Sequence, residues 1–196
     1  LAPLIDERLA VAVGKELVIL SRSDGKELQR FELPATISAL AADPSGVWLT
    51  AGCDDGLVAV LDCEEKTSFA QGEQAKLHDG AVRALCFERD ELRVISSGAD
   101  SKLLSTHVRG KLEPEERGKA NPHPGGALAI VLGLEVTDPN GEERIYTGGS
   151  DGTLKQWGKS GRPLTLKDEP GNTIALALRS EERRVGKSVL RCVDLG

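Results

Sequence analysis

Ile145-Tyr146-Thr147-Gly148-Gly149-Ser150-Asp151-Gly152-Thr153-Leu154-Lys155-Gln156-Trp157 decides the fold of this chain. Two runs of alternating apolar and polar residues flank a Gly, Ser and Asp turn, which is the pattern of a β-hairpin. The same plan recurs at Leu49-Thr50-Ala51-Gly52-Cys53-Asp54-Asp55-Gly56-Leu57 and at Ile95-Ser96-Ser97-Gly98-Ala99-Asp100-Ser101-Lys102-Leu103. Three hairpins on one template describe a repeat protein.

Each hairpin follows an apolar segment built around an Ala-Leu or Ala-Ile pair: Ala39-Leu40, Ala84-Leu85 and Ala129-Ile130, with a fourth such pair at Ala175-Leu176. The alanines lie 45, 45 and 46 residues apart. The turn aspartates Asp55, Asp100 and Asp151 keep that beat, apart from extra residues around Thr137 to Glu143 that lengthen one loop. A period in the forties, made of strands with Gly and Asp turns, predicts an all-β propeller of four-stranded blades.

The chain resembles the WD-repeat β-propeller family on the residues His78-Asp79-Gly80-Ala81-Val82-Arg83-Ala84-Leu85 leading to Asp100, and His123-Pro124-Gly125-Gly126-Ala127-Leu128-Ala129-Ile130 leading to Asp151 and Trp157. Leu61-Asp62 stands where a Trp-Asp dipeptide is expected in the repeat before. The resemblance implies a structural hydrogen-bond network of His78, Ser96 and Asp100 in one blade. It implies another of His123, Thr147, Asp151 and Trp157 in the next. The pattern is broken elsewhere: Leu33 occupies the first blade-leading histidine position and Thr106 occupies the Trp157 position.

Taken in order, residues 8–33 read as a partial blade of three strands with its first strand absent, and 36–70, 81–120 and 127–166 as full blades. Residues 173–196 begin a fifth. In the second blade the outer strand is expected near Thr67 to Ala70. In the third, Lys111 to Asn121 reads as a fraying edge and surface loop, being rich in Glu, Lys, Gly and Pro. Four to five blades make up a single domain over residues 1–196. Because an open arc leaves apolar faces in water, the chain is expected to form part of a larger, seven-bladed ring completed by missing sequence or by another chain. A chain that starts at Leu1 and contains no Met fits a piece of something longer. The alternative is a four-bladed ring in which Thr173 to Leu178 completes the first blade.

Composition narrows the function classes. With 39% hydrophobic and 29% charged residues, the chain has the make-up of a folded globular protein, and its scarce aromatics leave the core to Leu, Val, Ile and Ala. A net charge of -6 with 25 dispersed basic residues argues against nucleic acid, because phosphate binding rests on clustered Lys and Arg. The one local cluster, Arg183-Arg184 with Lys187, follows Glu181-Glu182 and reads as a solvated loop. No long apolar run or signal segment points to a membrane or to secretion. Cys53, Cys63, Cys86 and Cys192 show neither paired nor zinc-ligand spacing, which predicts a reducing, cytoplasmic setting.

No catalytic set emerges. Gly186-Lys187-Ser188 lacks the upstream glycine of a phosphate loop, since Glu181 stands there, and Asp54-Asp55 and Asp138-Pro139-Asn140-Gly141 read as turns rather than cation sites. No cofactor and no metal are expected. The resemblance implies a scaffold whose propeller face binds peptides or partner domains, as a module of a larger protein. The candidate contact residues are Asp54, Arg83, Ser101, Lys102 and Lys155. The other reading is a propeller-type enzyme with a polar site on the central axis.

Overall fold

The structure, a computed structural model, describes residues 1–64, 70–88, 92–117, 123–134, 143–158, 163–168, 175–179 and 189–193. The expected long loop around Thr137, the basic cluster near Arg183 and the start of the fifth repeat at Thr173 lie outside those residues.

Four antiparallel sheets of four strands each follow one another along the chain. The first blade contains β1 (Ala2–Pro3), β2 (Arg8–Val13), β3 (Glu16–Ser21) and β4 (Glu27–Glu32). The second has β5 (Ile37–Ala42), β6 (Trp48–Cys53), β7 (Leu57–Asp62) and β8 (Ala70–Lys76). The third has β9 (Val82–Phe87), β10 (Arg93–Gly98), β11 (Leu103–His107) and β12 (Pro114–Arg117). The fourth has β13 (Ala127–Leu134), β14 (Glu143–Gly149), β15 (Thr153–Trp157) and β16 (Pro163–Asp168), and β17 (Ala175–Arg179) with β18 (Val189–Val193) forms a two-stranded fifth sheet. The inner strands β1, β5, β9, β13 and β17 pack in succession, each against the next.

Three elements differ from the sequence reading. The first blade has its inner strand after all: Ala2 pairs with Ala10 and Pro3 with Leu9, a strand too short to alternate visibly and closed by a proline that lacks an N–H. The outer strand of the second blade runs over Ala70–Lys76 rather than ending at Ala70; Ala-Gln-Gly-Glu-Gln-Ala-Lys carries almost no apolar signal. The supposed fraying edge of the third blade holds β12, with Pro114 opposite Thr106 and Arg117 opposite Leu103. Both of these strands are sheet edges, where polar and charged residues discourage further pairing.

Alternation along each strand sends one set of side chains to the preceding blade and the other to the following one. Ala10, Leu17 and Ile19 of the first blade meet Leu49 and Leu61 of the second, all nearly inaccessible. Val60 of the second meets Phe87, Val94, Val108 and Leu112 of the third, with Trp48 at the margin. Ile95 and Leu103 of the third meet Ile145 and Trp157 of the fourth. Buried Arg8 adds a polar tie, its guanidinium donating to the carbonyl of Cys63 at 2.6 Å. At the loop-bearing rim the backbones themselves touch. A Cβ on Gly56 would stand 2.0 Å from the His78 carbonyl oxygen, and one on Gly126 would stand 2.1 Å from that of Gly98. Both glycines also have positive φ, so hydrogen is the only substituent that fits without strain.

Candidate functional site

The turn joining the second and third strands of a blade is built the same way three times. Asp55 accepts the Leu57 N–H at 3.0 Å, Asp100 the Lys102 N–H at 3.1 Å and Asp151 the Thr153 N–H at 3.1 Å. Each carboxylate thus shapes its own turn through the N–H two residues on. The residue after the aspartate is left-handed in all three, at φ +90° for Gly56, +67° for Ser101 and +75° for Gly152. Ser101 is the one non-glycine. Its hydroxyl accepts the Gly125 N–H at 2.8 Å, reaching across to the chain that leads into the next blade.

What stands behind the turn differs from blade to blade. In the fourth, the His123 Nδ1–H donates to Asp151 at 2.9 Å, and the Thr147 hydroxyl donates to His123 Nε2 at 2.8 Å. Trp157 Nε1–H donates in turn to Thr147 Oγ1 at 2.7 Å. Thr153 donates to the second Asp151 oxygen at 2.9 Å, and the ammonium of Lys155 lies 3.6 Å from that oxygen. In the third blade His78 bridges Asp100 at 3.0 Å and Ser96 at 2.9 Å, and Asp100 also accepts the Asp79 N–H at 3.1 Å. Thr106 stands where the tryptophan would be, and its buried hydroxyl has no partner. In the second blade the network is gone: Leu33, Ala51, Cys53 and Ala59 form an apolar cluster at the matching places.

One glycine explains why the exchange is concerted. A Cβ on Gly98 would lie 2.3 Å from His78 Nδ1, and one on Gly149 would lie 2.5 Å from His123 Nδ1. A histidine there requires glycine opposite it; with Leu33 in its place, the equivalent position carries Cys53.

Burial is the main influence on both histidines and holds their pKa below the usual imidazole value, against the opposing pull of the adjacent carboxylates. Burial alone would raise Asp100 and Asp151. The hydrogen bonds they accept outweigh it and leave both below the ordinary aspartate value. The resting arrangement is therefore neutral histidine beside ionised aspartate. Both ring nitrogens of His78 and His123 are engaged and the rings are shut off from solvent, so neither is available as a general base. Among the described residues no three His, Cys, Asp or Glu side chains are placed to hold a metal ion.

The five candidate contact residues do not form one patch. Asp54 and Arg83 are exposed, and Lys102 is partly exposed with its ammonium 3.2 Å from Asp79. Ser101 serves the turn and the next blade. Lys155 is a correction: at 2% accessible it is buried against Asp151, because Thr153, Lys155 and Trp157 share one face of β15. That period-two relation to Trp157 was available in the sequence and would have placed it inward. Sequence reading also missed Thr153 and Ser97, whose hydroxyl accepts the Ala127 N–H at 2.7 Å and links the third blade to the fourth.

The family model described as "WD domain, G-beta repeat" matches residues 25–62. The structure aligns with the Cps50 (Swd1) β-propeller domain of Myceliophteria thermophila at a TM-score of 0.72, covering 95% of this chain and 59% of that one at 12% identity. This is a β-propeller fold that carries a WD repeat. Its sequence is 30% identical over 80 residues to the WD repeat-containing protein 91 homolog of Dictyostelium discoideum, 41% of this chain and 10% of that protein. It is 27% identical over 106 residues to WD repeat-containing protein 91 of Danio rerio, 53% of this chain and 14% of that protein. The WD-repeat chain thus spans a small part of these relatives' length. WD-repeat propellers generally bind protein partners and act as interaction scaffolds.

Proposed function

We propose that this WD-repeat segment is a protein-interaction scaffold, a module of a longer polypeptide that presents peptides or partner domains with a rigid, turn-bearing rim. The observation that carries the reading is the division of its polar groups. The buried His–Asp networks close on themselves, while Asp54, Arg83 and the Lys102–Asp79 pair are exposed or partly exposed at or near the turns. Such a rim offers both signs of charge to a partner, and the net charge of -6 disfavours a polyanion. The three described cysteines are unpaired, which suits a reducing, intracellular location. Affinity capture with the longest available polypeptide, comparing wild type with Arg83→Glu and Lys102→Glu, tests the assignment. Loss of the same partner in both variants is expected, and unchanged recovery would argue against this rim.

We also infer that further propeller segments, in the same or another polypeptide, complete a seven-bladed ring. Leu164 and Leu166 are exposed on β16, as Val13 and Leu28 are in the first blade, and the Cps50 domain continues well beyond the part that this chain matches. Light scattering of the isolated 196-residue chain is the test: association or an expanded particle is expected, and a compact, monodisperse monomer would defeat the incomplete ring.

A further inference from the structure

All three histidines of the chain, His78, His107 and His123, lie from the third blade onward; the first two blades contain none. His78 sits at the junction of the second and third blades, where its N–H donates to the Gly56 carbonyl at 3.2 Å. His123 sits at the junction of the third and fourth, two residues before the loop where Gly126 closes on the Gly98 carbonyl. At the junction of the first and second blades the matching place holds Leu33, in an apolar cluster with Ala51, Cys53 and Ala59.

We propose that mild acid selectively loosens the two histidine-bearing junctions while the leucine-bearing junction stays closed. The geometry supplies the mechanism. As arranged, each imidazole donates from Nδ1 and accepts at Nε2 from Ser96 or Thr147. A proton added at Nε2 turns that acceptor into a donor. The Thr147 oxygen, which already receives the Trp157 N–H, would then receive a second donor, and its own proton would lose its acceptor. The added charge must also sit in a site shut off from water.

The groups facing each ring do not cancel this effect. His78 faces Asp100, Asp79 and Lys102, while Asp54 and Asp55 on the other side project into solvent. His123 faces Asp151, with Lys155 opposing it from within and Ser101 on the neighbouring turn. The carboxylates favour the proton, yet burial is the larger influence at both rings and keeps them neutral. The sign follows. A pKa below the free-histidine value of about 6.5 means the open state takes up the proton first, so closure is full above that pH and weakens as pH falls through it. His107 is exposed, with Nε2 3.2 Å from Arg93 and with Glu115, Glu88 and Arg117 around that guanidinium. It belongs to the same blade and needs a control.

Hydrogen exchange of the intact chain at pH about 7.5 and about 5.5, corrected for intrinsic rates, tests the proposal. Exchange in β10–β11 and β14–β15 is expected to rise by up to about tenfold for each pH unit below about 6.5, with β6–β7 changing least. Equal loss of protection in β6–β7, or no change in the other two hairpins, overturns it. His78→Leu with Gly98→Cys copies the Leu33 and Cys53 pair and should flatten the response of β10–β11 while β14–β15 keeps its own. His78→Gln and His123→Gln retain a donor and an acceptor without a titrating ring, and decide the matter if the paired variant does not fold. His107→Gln should leave the response intact. A wild-type response in the His78 and His123 variants refutes the assignment.

Discussion

Removing the three turn aspartates one at a time should give three different costs, because the groups left behind differ. Asp55→Ala removes the acceptor for one exposed N–H, that of Leu57, with no histidine behind it. The expected loss is under about 1 kcal/mol. Asp100→Ala strands the buried His78 Nδ1–H and the N–H groups of Asp79 and Lys102, while the partly exposed Lys102 side chain can turn to water. About 2 kcal/mol is expected. Asp151→Ala strands His123 and the Thr153 N–H and hydroxyl, and also takes away a carboxylate 3.6 Å from the ammonium of Lys155, 2% accessible. Losing a carboxylate beside a buried ammonium raises the cost to about 3 kcal/mol. At about 3 °C per kcal/mol for a chain of this size, the melting temperature should fall by under about 3, about 6 and about 9 °C respectively. Thermal melts followed by far-ultraviolet circular dichroism provide the comparison. Equal losses for Asp55→Ala and Asp151→Ala would refute the ranking.

Three further outcomes follow from single side chains. Thr106→Val replaces a buried hydroxyl that has no partner by a group of the same shape, and should raise stability in urea by about 1 kcal/mol. Ser101→Ala keeps the left-handed backbone and loses the bond to Gly125, so it should cost about 1 kcal/mol; Ser101→Gly loses the same bond but relieves the strain and should come out near neutral in the same titration. Burial pushes the Cys53 thiol up to about 11 and the Cys63 thiol up to about 12. Site-resolved alkylation of the native chain at pH about 8 should therefore spare both and mark the half-buried Cys86 first, the difference vanishing in urea.

The repeat was legible because its strongest signals are internal. A hairpin such as Ile145 to Trp157 writes its turn and its alternation in consecutive residues, and the polar network recurs at a fixed spacing. The edges were not. β1 is two residues long, and β8 and β12 are polar because their outer side faces water, so neither length nor hydrophobicity announces them. Lys155 lies close to the second-to-third-strand turn, a place that suggests the rim; its neighbours two residues away, Thr153 and Trp157, fix its face inward instead. Ser101 presents the opposite problem. A polar residue in an exposed turn looks free to bind, and only its place in the glycine column of the other repeats reveals a conformational duty.

The glycines at the rim carry a consequence for shape. At Gly56 and Gly126 consecutive blades approach backbone against backbone, with no side chain to hold them apart. An angle between neighbouring blades depends on the spacing at the rim relative to that of the side-chain layers deeper in the junction. A circle admits only certain wedges. A methyl group at either glycine would have to push the rim apart, changing the curvature of the arc and with it the number of blades that could close a circle. Gly56 and Gly126 thus keep the rim at backbone contact, a spacing that any side chain there would widen.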